Sequence, residues 1–424
     1  MSEAPGSGLL RDRNFVRFWL AATTTGIGSQ VTLLALPVLA VTALNADAGE
    51  LGLLGFLQLL PVIVVTPFAG VIADTYSPKH ISVVSMAGRG VLMGLVPLLA
   101  FLDTLSMVWL YVIGASSGCL KALGDVVQHS MLPLLVEDSR IVPGNAALGG
   151  SRSVVEVSGP GMAGLLVQGF SAPYAVVADA VSFFLAGTLV GSLRMKPRAG
   201  PDPRHGWFSR MKSGFVYLGR ERRLLMLGVS SGVFNVFIQA YLTLLVLYAV
   251  SSLHLSPAAV GATYSVGAVG GIAGAAAANG LGRRLSPVDA INVGDVMTAV
   301  GLIVIAAAAA AGSTVSAALV LATGVFLYSF GLGVANVHAV SVRQRICRPD
   351  MLGRLTASYR LISHGTLPLG ALLGGVGAQF ADPAVIICAS GIVLLVWVAA
   401  LQFTSYRDLA VTDTPSRESV RPEP

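Results

Sequence analysis

Runs of roughly 20 or more mostly apolar residues recur along the whole chain between short polar breaks, and this repetition restricts the fold more than any motif does. A helix crossing the ~30 Å hydrocarbon core needs about 20 such residues, and in lipid each backbone N–H and C=O must be satisfied within the segment. Each run is therefore expected to be a transmembrane α-helix. Twelve runs are counted, at about 18–44, 50–74, 80–102, 106–133, 140–170, 173–193, 223–251, 257–280, 286–312, 315–343, 351–380 and 383–404. Charged residues make up 11% of the sequence, against about 25% in an ordinary soluble domain. The expected class is an all-α membrane protein of two six-helix halves, 1–193 and 223–404.

Between the halves lies the one long polar interruption, residues 194–222. Pro197, Gly200, Pro201 and Pro203 exclude a helix from its first third. From Gly206 onward, Trp207, Phe208, Met211, Phe215 and Leu218 form an apolar stripe at helical spacing, with Arg210, Lys212, Arg220 and Glu221 outside it. This is the pattern of a helix on a lipid headgroup surface, and equally of a solvated helix packed only on protein. The last stretch, 405–424, is polar with Pro415, Pro422 and Pro424, and is expected to be a disordered cytoplasmic tail.

The formal charge of +6 raises the question of a nucleic-acid partner, and the placement of the cations answers against one. All but four of the 27 Lys and Arg residues fall at the N-terminus, in alternate loops or in the tail, while 45–49, 103–105, 171–172, 252–256, 313–314 and 381–382 carry none. That is the positive-inside pattern, so both termini are expected to be cytoplasmic in a multi-pass cell-membrane protein. The first run is too long for a cleaved signal and is expected to remain as a span. Cys119, Cys347 and Cys388 show neither metal-ligand spacing nor a disulfide framework and are assigned to packing. No phosphate loop, metal-binding His-Glu helix or nucleophile elbow is present, so the chain is expected not to be an enzyme, with no cofactor and no metal.

The four remaining cations, Arg89, Lys121, Arg152 and Arg360, sit inside runs. Lys121 and Asp125 are one turn apart, as are Arg152 and Glu156, and counting from the run ends puts these four charges at similar depth. They are expected to form one neutral cluster near the midplane, because an isolated charge there is costly. It is either a structural ion-pair cluster or a functional one; Glu156 is the first candidate for carrying protons and Asp125 the second. Gln30, Asn235, Gln239, Tyr328 and Asn336 are candidate cavity contacts, although a glutamine such as Gln30 also satisfies itself by bonding to a neighbouring helix. Arg89, Asp289 and Asp295 are read as structural.

Two repeats relate the halves. SRSVVEVSGPGMAG from Ser151 aligns with YRLISHGTLPLGAL from Tyr359, so that Arg152 and Pro160 match Arg360 and Pro368 while Glu156 falls opposite His364. Gly159 and Gly161 flank Pro160, and helix weakening is expected there and at Pro368. Gly70, Asp74 and Lys79 form a loop that resembles the signature between helices two and three of the major facilitator superfamily; Asn279, Gly282, Arg283 and Arg284 stand at the equivalent point of the second half. Thr75, Ser77 and Pro78 depart from that signature, and Asn279 stands where its aspartate would be.

Within that superfamily the chain looks most like bacterial exporters of drugs, macrolides or siderophores, on the opening RDRNFVRFW, the Arg-to-Pro repeats and the basic linker. An arginine that such antiporters often carry early in helix four is absent, with Gly114 near its place. The resemblance implies that helices one, four, seven and ten line a central cavity. It also implies proton-coupled export of a small amphipathic compound, with protons and membrane lipids as the other partners and a monomeric state. A lipid translocator of the same fold and a non-transporting sensor are the alternatives.

Overall fold

The computed structural model describes Leu9 and residues 11–195, 207–348 and 351–403. Six helices come first: α1 (Arg13–Thr42), α2 (Ala48–Thr75), α3 (Pro78–Phe101), α4 (Met107–Leu135), α5 (Asp138–Phe170) and α6 (Ala172–Gly191). A short helix, α7 (Trp207–Arg220), leads to α8 (Arg222–Leu247), which a π-helical turn extends through Ser252. Then follow α9 (Pro257–Leu281), α10 (Pro287–Ala307), α11 (Thr314–Ile346), α12 (Leu352–His364), α13 (Leu367–Phe380) and α14 (Pro383–Leu401), with no strand among the described residues. Eleven segments are long and apolar enough to cross a membrane, α12 and α13 together supplying one. The exception to the twelve expected spans is α5, which has the length, at 33 residues, but is diluted by Arg152, Glu156 and its serines and glycines.

Helix starts follow local chemistry. Asp12 accepts from the backbone N–H groups of Asn14 and Phe15, and Asp47 and Glu50 form a reciprocal capping box. Proline opens α3, α6, α9, α10 and α14, where its missing N–H costs nothing. The turns without cations are tight: Asn45, Asp103, Ser171 and His254 all take positive φ, and Ser171 alone separates α5 from α6.

Packing repeats between the two groups of helices. Within α1–α6 the pairs are α1 with α5 and α6, α3 with α4 and α6, and α2 with α4. If α8, α9, α10, α11, α12–α13 and α14 are matched in order to α1–α6, the same pairs recur: α8 with α13 and α14, α10 with α11 and α14, and α9 with α11. The principal crossings that join the groups, α5 with α9 and α2 with α13, are exchanged by the same correspondence. Both are glycine crossings. A Cβ at Gly164 would lie 2.9 Å from the Cα of Ala258, and one at Gly375 would lie 2.6 Å from the Cα of Gly52.

Both crossings lie at the cation-free ends of their helices. The largest apolar core is there too, joining Leu36 and Leu39 of α1, Leu51 and Leu54 of α2 and Val167 of α5 to Tyr241 and Leu245 of α8, Val260 of α9 and Leu321 of α11. Toward the basic loops the core splits. Phe15, Phe18, Met131 and Leu132 form a cluster confined to the first group, and Leu227, Ile291, Val342 and Tyr359 one confined to the second. Among the described residues, buried apolar packing thus joins the two groups on the cation-free side and stays within each group toward the basic side.

One of the two proline expectations needs correction. Pro160 does not interrupt α5, which runs unbroken past both Pro143 and Pro160; the break falls in span eleven, at Gly365 and Thr366 just before Pro368. The reason is where the freed carbonyls find donors. Asn235 Nδ2 donates to the carbonyl of Ser363 at 2.7 Å, and the Thr366 hydroxyl lies within bonding distance of the carbonyls of both Ser363 and Gly232. Around Pro160, Gly159 instead packs against Gln30 and the Gly161 N–H donates to Ser265 Oγ at 3.0 Å, which holds the helix in register.

Part of the apolar stripe of α7 packs on protein. Leu218 is buried with Leu224, Cys347 and Leu355, and the Tyr217 hydroxyl accepts from the backbone N–H of Arg348. The side chains of Trp207, Phe208 and Met211 and the tail from residue 404 lie outside the described residues.

Candidate functional site

The expected four-charge cluster resolves into two separate pairs. Lys121 Nζ lies 2.5 Å from Asp125 Oδ2 on α4, and Arg152 Nε lies 2.7 Å from Glu156 Oε1 on α5. No salt bridge links the two helices among the described residues. The i,i+4 spacing explains this, since each helix neutralises its own charge without reaching another. The pairs are also open rather than buried, with side-chain exposures of 51% and 43% for the first and 78% and 43% for the second.

The direction in which the α5 pair opens follows from the helix itself. At 100° per residue, Val154 and Leu165 lie on the opposite side of α5 from Arg152 and Glu156, and both are 66% exposed. The apolar side suits lipid. Gly159, one turn past Glu156 and on the same side as the pair, packs on α1, and Gly164, between the two sides, packs on α9. Arg152 and Glu156 therefore project from the side of α5 turned away from Val154 and Leu165, where both remain partly exposed. The Trp19 indole donates to Ser151 Oγ at 2.6 Å and fixes α5 against α1 immediately before the pair.

Gln30 packs its Cβ and Cγ on the Gly159 position and makes no hydrogen bond to a neighbouring helix among the described residues. Asn336 is exposed on α11, and Gln239 makes one weak bond along its own helix, to Thr243 at 3.4 Å. Two other cavity candidates are committed elsewhere. Asn235 holds the span-eleven break, and Tyr328 is buried edge-to-face on Tyr241 with centroids 5.2 Å apart. Arg360 is exposed without an ion pair among the described residues, whereas His364 Nδ1 meets the Ser363 hydroxyl at 2.9 Å. Thus the two halves share the Arg-to-Pro spacing and differ in charge pairing.

In the loop motif, Gly70 and Asp74 lie in α2, with side chains outside the described residues. Lys79 donates to the carbonyl of Leu193 at 2.9 Å, pinning the α2–α3 turn to the end of α6. Asn279, Arg283 and Arg284 are exposed around the α9–α10 turn. Next to them is a residue the sequence did not single out: His338 is buried, with Nε2 3.0 Å from the Ala278 carbonyl, and occupies the space beside Gly282.

Other groups stand out only in three dimensions. Asp179 of α6 is 1% exposed; the Thr32 hydroxyl donates to it at 2.5 Å and the Ser182 hydroxyl at 3.3 Å. Gly28 makes room for it, because a Cβ there would overlap both Asp179 and Ser182. Arg89 of α3 lies over the Phe183 ring, 4.1 Å from its centroid. Asp295, read from the sequence as structural, is buried in α10 with no hydrogen bond among the described residues. No group of His, Cys, Asp and Glu suited to a metal occurs among the described residues.

Relatives in sequence and neighbours in fold include membrane transporters. The chain is 24% identical over 385 residues to the uncharacterized MFS-type transporter y4rN of Sinorhizobium fredii, covering 90% of this chain and 93% of that one. It is 24% identical over 187 residues to the multidrug efflux pump Tap of Mycolicibacterium fortuitum, covering 43% of this chain and 46% of the pump. The fold matches that of a bacterial homologue of the iron transporter ferroportin in an inward-facing state, with a TM-score of 0.72 and 18% identity over 92% of this chain and 98% of that one. Residues 18–367 match the family description of the Major Facilitator Superfamily, and the chain belongs to that family of multi-pass membrane transporters.

Proposed function

We propose that this protein is a proton-coupled exporter of small amphipathic compounds, working as a monomer in a bacterial plasma membrane with both termini in the cytoplasm. Residues 1–193 and 223–404 are the rocking units, joined by the basic linker. The observation that carries the reading is the division of the core. One apolar cluster spans both units on the cation-free side, while the clusters toward the basic side are each confined to one unit among the described residues. Exchanging which side is sealed delivers a solute across the membrane.

Glu156 is the leading proton carrier, because a partly exposed carboxylate with an arginine one turn away gains or loses a partner as the two units rock. Asp125, paired with Lys121, is the second. Gln30 and Asn336 supply amide contacts among apolar walls, a combination suited to a mostly apolar ligand with a few polar handles.

The test is efflux from a pump-deficient bacterium loaded with amphipathic dyes and antibiotics, with and without a protonophore. Faster efflux that the protonophore abolishes is expected. Energised uptake of the cargo would refute export. Lipid movement without dye efflux would select the translocator, and binding without flux in proteoliposomes the sensor.

A further inference from the structure

Inside the first helix group, away from the crossings that join the groups, a pocket lies between α1, α3, α4 and α6. Arg89, Lys121 and Asp125 line it together with Thr25, Ser85 and Gln128, and Phe18, Met86, Met131 and Phe183 make its apolar wall. Arg89 stands 11 residues into α3, roughly 16 Å from its basic-side end at 1.5 Å per residue. The pocket therefore reaches about half the depth of the hydrocarbon core.

The charges lining it do not cancel. Lys121 and Asp125 are committed to each other. Arg89 has no carboxylate within salt-bridge distance among the described residues: its contacts are the Phe183 ring and one long hydrogen bond, Nε to Ser117 Oγ at 3.4 Å. Asp179 and Asp125 act on it only at longer range, and Asp179 is occupied by the Thr32 and Ser182 hydroxyls. A guanidinium carries five N–H donors in a planar fork matched to an oxyanion. Held at this depth with one weak acceptor, it is under-compensated, and a bound anion would supply what is missing.

We infer that this pocket binds amphipathic anions, with the carboxylate or phosphate on Arg89 and the apolar body on Phe18, Met86, Met131 and Phe183. The inference deepens the export reading by naming a class of solute, and it rests on that reading only for the claim that the ligand is cargo. A transported solute and the headgroup of an acidic lipid share this chemistry.

The experiment is equilibrium binding to the purified protein in nanodiscs of phosphatidylcholine, without a proton gradient, so that its outcome is independent of efflux. The probe is naphthoate, with neutral naphthamide as its isostere. Naphthoate is expected to bind about tenfold more tightly or better, the scale of a hydrogen bond to a charged group. Arg89→Gln should abolish that preference and Arg89→Lys should keep part of it. If Arg89→Gln does not fold, Gly124→Leu, which grows into the pocket toward Ser85, should block both probes. Adding phosphatidylglycerol separates the sources: loss of naphthoate binding marks a lipid headgroup as the occupant, and its persistence marks a solute, either result supporting an anion site. Equal binding of naphthoate and naphthamide, or an undiminished preference in folded Arg89→Gln, would overturn the inference.

Discussion

Substituting Gly375 by Ala should move the protein away from the basic-side-open arrangement. The new Cβ would lie 2.6 Å from both the Ala48 carbonyl oxygen and the Gly52 Cα. Carbon contacts are comfortable at about 3.5–4.0 Å, so α2 and α13 must part by roughly 1 Å. The obstructing atoms are backbone and cannot rotate away. Overpacking of this kind costs about 1–3 kcal/mol, and here the cost falls only on the state in which the crossing is closed. The balance of states should shift by about 5- to 150-fold. Gly164→Ala, at the symmetry-related crossing, meets the Pro257 carbonyl oxygen at 2.6 Å and should act alike. Because the two crossings share no residues, their effects should add. Spin labels at Ser139 and Arg345 report the basic side, and labels at Thr104 and Thr314 the other. Shorter distances on the basic side and longer ones on the cation-free side are expected in both variants. A loss of thermal stability with both distances unchanged would refute the reasoning, because the glycines would then serve packing common to all states.

Further outcomes can be checked singly. Glu156→Gln should abolish proton-driven efflux while leaving binding in place; efflux at the parental rate in vesicles would transfer the role to Asp125. Arg152→Ala should cost less than about 1 kcal/mol in detergent unfolding, because a pair this exposed is weak, in place of the several kcal/mol that breaking a buried pair costs. Ser171 holds φ 64° and ψ 158°, a region nearly restricted to glycine, so Ser171→Gly should stabilise by about 1 kcal/mol, read as a higher Tm. Tyr248→Phe removes a buried hydroxyl 2.9 Å from the Ala306 carbonyl and should lower stability by about 1–3 kcal/mol in the same assay.

The spans were legible because the bilayer imposes a length and an apolarity that a single sequence displays. The helix of the linker was legible from its stripe, and its observed start and end, Trp207 and Arg220, fall inside the stretch so marked. The Arg-to-Pro repeat was legible as spacing, yet it did not tell which copy would break. Pro160 and Pro368 sit at equivalent places, and the outcome turned on Asn235, Thr366 and Gln30, side chains brought in from other turns or other helices. A proline reports a lost donor; whether the helix opens depends on who serves the carbonyls left behind.

Depth and direction are separate coordinates, and the sequence supplies the first far better than the second. Counting from the ends put Lys121 and Arg152 at similar height, which invited a single cluster, but height says nothing about the side of the helix from which each projects. The i,i+4 spacings already held the pairing that the structure displays. Arg89 and Asp179 were harder, since a lone charge in an apolar run has no periodic partner to announce its role. The notch at Gly28 that admits Asp179, and the Phe183 ring that supports Arg89, come from helices remote in sequence. The charges that pair within one helix are therefore those a sequence can assign, and the charges left for a ligand become visible only when the neighbouring helices show what each guanidinium or carboxylate lacks.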